Sequence, residues 1–168
     1  NRSMAVLREL VQKEKKHFHK LSIPGQQLLK TIALYVLVNP VFSIFTTAFL
    51  WRQSHNIVHI IIFYICMYLM VPLGFYGNGY LLRTYPANTL SFVSLLARGL
   101  LISIIIFLPP LRLLEICFFG LAIGFVVGVF WANRNLLTLK TTSSATRIYF
   151  SGIESILTTS GEIVIPIL

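Results

Sequence analysis

The sequence predicts an all-α integral membrane protein with five transmembrane helices, and three observations predict it. The chain of 168 residues is 56% hydrophobic and only 11% charged, with a mean hydropathy of +0.79. That is too apolar for a soluble domain, which would lack the charged residues to cover its surface. The apolar residues also fall into five runs, each close to the roughly 20 residues a helix needs to cross about 30 Å of hydrocarbon. Finally, basic residues collect at the ends of those runs rather than over a folded surface. This excludes nucleic acid as the partner of a chain whose formal net charge is +9.

Residues 1–27 form a basic, partly amphipathic segment centred on "QKEKKHFHK", in which Met4, Leu7, Val11 and Phe18 recur at helical spacing. Such a segment fixes topology and is attracted to anionic lipid headgroups. His17 and His19 lie two apart, so on a helix they point to different faces. No third ligand accompanies them, and no metal site is expected.

The spans are expected at about 28–50, 57–82, 90–108, 113–132 and 148–168. The first contains Asn39-Pro40 near mid-depth. There proline frees a backbone carbonyl and asparagine offers a donor and an acceptor, which suits either a kink or a substrate contact. The second ends in "GFYGNGY", which lacks the strand-to-helix context of a phosphate loop. Arg98 lies inside the third span, where it either marks a pathway or extends to the headgroups.

The fourth span places Gly120, Gly124 and Gly128 at four-residue intervals and then runs into Trp131, Arg134 and Asn135. Small residues at this spacing let two helix backbones approach closely in lipid. The fifth span carries Glu154 and Glu162, eight residues apart and within about a quarter turn of one face. Estimated from the cytoplasmic end at 1.5 Å per residue, Glu154 lies at roughly 9 Å, Arg98 at roughly 13 Å and Glu162 at roughly 21 Å. Arg98 and Glu154 are therefore close enough in depth to pair. The two acids suit a proton- or cation-coupled carrier, or pair with basic partners elsewhere.

Eleven of the fourteen Lys and Arg residues fall before or just within the first span and in the second and fourth connections, against Arg52 and Arg112 on the other side. This bias puts the amino terminus in the cytoplasm. The chain begins at Asn1 and stops within "EIVIPIL", and is expected to be part of a longer protein. Cys66 and Cys117, both in apolar runs, read as small hydrophobic residues.

The second connection, "GNGYLLRTYPANT", and the fourth helix, "GLAIGFVVGVFWANRN" followed by "TSSATRIYFSGIES", resemble the first half of a major facilitator superfamily transporter. Gly79, Leu81 and Arg83 fit that family's loop between helices two and three. No acidic residue is present there, and Pro86, Ala87 and Asn88 replace the usual basic tail.

The resemblance implies a twelve-helix bundle of two six-helix halves, with the remaining transmembrane helices in the same longer chain. It also implies a multi-pass protein of the cell membrane that moves a small-molecule solute by alternating access, with helices one, two, four and five facing the central cavity or the other half. Asn39, Glu154 and Glu162 are then the candidate pathway or coupling residues. No cofactor is implied. A non-transporting membrane subunit and a membrane-embedded transferase are the alternatives, and no catalytic constellation supports an enzyme.

Overall fold

The computed structural model describes residues 23–108 and 111–164. Most of the basic segment, with His17 and His19, and the last four residues of the fifth expected span lie outside the described residues. The described residues form five α-helices and contain no strand. They are α1 (Ile23–Ser54), α2 (Ile57–Leu81), α3 (Ala87–Phe107), α4 (Leu113–Thr141) and α5 (Ser144–Val164).

Four of these, α1 to α4, are long and apolar enough to cross a membrane. The fifth, α5, is helical but interrupted by hydroxyl residues and by Arg147, Glu154 and Glu162, and does not meet the same standard. Large apolar side chains are exposed on every helix, among them Leu34, Leu69, Phe92, Phe118 and Ile156. This outward-facing apolar surface is compatible with a multi-pass protein whose solvent is lipid.

The helices outrun the apolar stretches. With 32 residues α1 is about 48 Å long, and with 29 residues α4 is about 43 Å long. Instead of stopping near Ala132, α4 continues through Arg134, Asn135 and Lys140 to Thr141. Hydropathy marks only the part that hydrocarbon can cover, whereas backbone hydrogen bonding carries the helix on until a capping residue or a proline stops it.

The stops are local. Asn56 caps α2, its Oδ1 accepting from the Val58 amide at 2.9 Å, after His55 turns the chain with φ 46°. The residue after α3, Leu108, is extended because Pro109 follows it. Ser143 precedes α5 and shares hydrogen bonds with Thr146, which closes the first turn.

The described residues divide into two compact units, one within Asn1–Pro40 and Thr138–Leu168 and the other within Val41–Leu137. In the first, Leu29, Ile32 and Val36 of α1 pack with Phe150 of α5, flanked by Ile153 and Leu157. Gly161 continues that face, since a Cβ there would lie 2.9 Å from the Val36 side chain. The second unit is built around Leu50, Ile60, Phe63, Ile102, Ile105, Ile116, Phe119 and Ile123, which come from α1 to α4.

Candidate functional site

In the second unit the glycines of α4 meet the backbone of α2. A Cβ at Gly120 would lie 2.7 Å from the Phe63 carbonyl oxygen, closer than real Cβ contacts allow. At Gly124 the obstruction is the Met67 carbonyl, and at Gly128 it is the Val71 carbonyl and the Gly74 backbone. Gly74 of α2 in turn lies against Phe125 and Gly128. Contacts at 63, 67 and 71 against 120, 124 and 128 rise together along both chains, so α2 and α4 run parallel with their backbones in contact. Only glycine allows this approach without moving one helix away.

One turn beyond the glycines the seam ends in a polar pair that sequence reasoning missed. Asn78 Nδ2 donates to Asn133 Oδ1 at 3.2 Å, Asn133 Nδ2 donates to Asn78 Oδ1 at 2.7 Å, and Asn133 Nδ2 also donates to the Val129 carbonyl at 2.9 Å. Both residues are buried, at 2% and 0% exposure. An asparagine inside an apolar helix was the available signal, since such amides usually bond across helices.

At the other end of this unit Gln53 ties α1 to the connection before α4. Its Nε2 donates to the Leu108 carbonyl at 3.4 Å and its Oε1 accepts from the Leu111 amide at 3.1 Å. Between these two ends the Tyr64 hydroxyl of α2 shares hydrogen bonds with Ser43 and Thr47 of α1, at 3.1 and 2.8 Å. Glu115 accepts from the Arg112 amide at 2.9 Å, fixing the start of α4.

The remaining residues of this unit singled out from the sequence are dispersed. Arg98 is half-buried on α3. Gly79 is exposed with nothing near its Cβ position, and Arg83 is exposed with its guanidinium 5.1 Å from the Tyr80 ring centre. Arg134 lies 5.2 Å from the Trp131 ring centre and donates to Asn135 Oδ1 at 2.8 Å.

In the first unit Asn39 is half-buried on α1. Glu154 is buried, at 9% exposure, on the side of α5 that also carries Phe150, Leu157 and Gly161. Glu162 is exposed. The two acids therefore stand in different surroundings although their positions differ by only about a quarter turn. Exposed with Glu162 are Ser151, Ser155 and Thr159. Their spacing of four, four and three residues makes one stripe along α5 that is polar from Ser151 to Glu162, with the exposed Ile148 on the same line one turn before it. Among the described residues no group of three His, Cys, Asp or Glu side chains is arranged to hold a metal ion.

No family model matches the chain, and no solved structure matches it. Over 149 residues, 85% of its length, the chain is 29% identical to uncharacterized protein YqgE of Bacillus subtilis (strain 168). The match covers 34% of that protein, so the chain spans about a third of the length of this relative.

Proposed function

We propose that the chain is part of a secondary active transporter of the major facilitator type, moving a small solute across a membrane by alternating access. The observation that carries this reading is the polar stripe of α5. Four helices are apolar enough to cross a membrane, and the fifth presents Ser151, Ser155, Thr159 and Glu162 along one face while it packs on α1 with the other. In this reading α5 is the fifth span. A membrane helix with such a face requires water or polar partners beside it, because an uncompensated carboxylate in hydrocarbon is too costly. A water-filled passage supplies both.

The acids have separate roles in this account. Glu162, on the stripe, faces the passage and exchanges protons or cations with it. Glu154, withdrawn from the surface, sets the local charge that α5 carries. Close backbone packing of α2 and α4 suits a transporter whose helices move as rigid groups, since it gives the two helices a long van der Waals contact. The basic amino-terminal side is cytoplasmic. The relative, of which 149 residues are 34%, is about 440 residues long, which leaves room for a second set of spans in that protein.

The alternative is a non-transporting membrane subunit, favoured by the small size of Ser151, Ser155 and Thr159, which would also seat a partner helix. The test uses the full-length protein in proteoliposomes enclosing a pH-sensitive dye and a panel of small solutes. A solute carried with protons shifts the internal pH on addition, and Glu162→Gln abolishes that shift at equal protein incorporation. An unchanged shift in Glu162→Gln contradicts the coupling role.

A further inference from the structure

The face of the second unit formed by α2, α3 and α4 contains a cavity of about 310 Å³, within the range of ligand sites, roughly 300 to 1,000 Å³. Leu81, Leu90, Val93, Phe125, Val126 and Val129 line it. Val93 and Tyr85 are each 52% exposed, so the cavity is open along one side. The wall is almost wholly apolar, and Tyr85 and Thr89 complete it beside the turn joining α2 to α3.

We propose that this groove holds one acyl chain of an anionic phospholipid, with the headgroup phosphate at Arg83. Arg83 is exposed in the same turn, two residues from each of the lining residues Leu81 and Tyr85. No acidic residue occurs anywhere from Lys15 to Leu114, so no neighbouring carboxylate along this stretch neutralises it. The first turn of α3, beside it, also has no acidic residue and no side-chain cap, which adds a favourable field for an anion.

An amphiphile with one apolar tail and one negative head matches this arrangement. A soluble anion would use Arg83 alone and leave the apolar groove without an occupant. Anionic lipid is concentrated in the cytoplasmic leaflet, the side to which the charge bias assigns this turn. The inference rests on the membrane setting of the helices and is independent of transport.

The test is native mass spectrometry on the full-length protein, delipidated in detergent and titrated with phosphatidylglycerol or with phosphatidylcholine of the same acyl chains. One phosphatidylglycerol is expected to be retained about fivefold more than phosphatidylcholine, the effect of one cation near an anionic headgroup. Arg83→Gln removes that preference and Arg83→Lys keeps most of it. Val93→Trp, which fills the open side, reduces retention of both lipids several-fold. Both positions are exposed, so these variants keep the fold. Equal retention of the two lipids by the unaltered protein overturns the proposal, as does phosphatidylglycerol retention that survives both Arg83→Gln and Val93→Trp.

Discussion

Asn78 and Asn133 exchange two hydrogen bonds through their side-chain amides, at 3.2 and 2.7 Å, and both are almost fully buried. Fifty-five residues apart in sequence, they close the end of the seam that the glycines of α4 open.

Removing one member of this pair leaves the other buried with unmet hydrogen bonds, a cost of about 1 to 3 kcal/mol, and membrane pairs fall toward the low end. Asn133→Leu should therefore lower the melting temperature of the detergent-solubilised protein. The double variant Asn78→Leu with Asn133→Leu should recover part of the loss. Strictly additive losses would show that the two amides do not act together.

Gly124 faces the Met67 carbonyl with no room for a Cβ. Gly124→Leu should separate α2 from α4 and reduce the yield of monodisperse protein on size-exclusion chromatography. Gly79→Ala, at a position with open space, should leave the yield unchanged. Equal yields from both variants would remove close packing as the reason for the glycine stripe.

Gln53 gives the Leu111 amide its acceptor. Gln53→Leu removes both of its bonds and should destabilise the protein by about 1 kcal/mol or more, whereas Gln53→Glu keeps the acceptor and should cost less. Thermal unfolding of the two variants in the same detergent reads the difference, and the reverse order would contradict the assignment.

The orientation is checked with single cysteines in a background without Cys66 and Cys117. His55 and Arg83 are exposed at opposite ends of α2. An impermeant reagent added to intact cells should label His55→Cys and spare Arg83→Cys. Labelling of Arg83→Cys alone would invert the topology.

Much of the helical architecture was legible in the sequence because it is local. Hydropathy located the four apolar helices, and the four-residue interval of Gly120, Gly124 and Gly128 marked a face shaped for close approach. The partner of that face was not legible, since nothing local to α4 names Met67 or Val71 as its neighbours. The Asn78–Asn133 pair was missed for the same reason, although each amide is conspicuous in its apolar run. Hydropathy marks the apolar span and not the helix end, because helical hydrogen bonding continues past the apolar stretch, as from Arg134 to Thr141. Glu154 and Glu162 looked equivalent by helical angle. The edge of the face that carries Phe150, Leu157 and Gly161 falls between them, so one is covered and the other is not.

The central claim is that the exposed stripe of α5 faces water inside a membrane protein. The most direct measurement is cysteine scanning from Ile148 to Glu162 in the full-length protein, with a water-soluble methanethiosulfonate reagent applied to membranes. The account predicts labelling at Ser151, Ser155, Thr159 and Glu162 and none at Ile156, an exposed apolar position off the stripe on the same helix. Protection of the whole stripe, or labelling at Ile156 in its place, would contradict it.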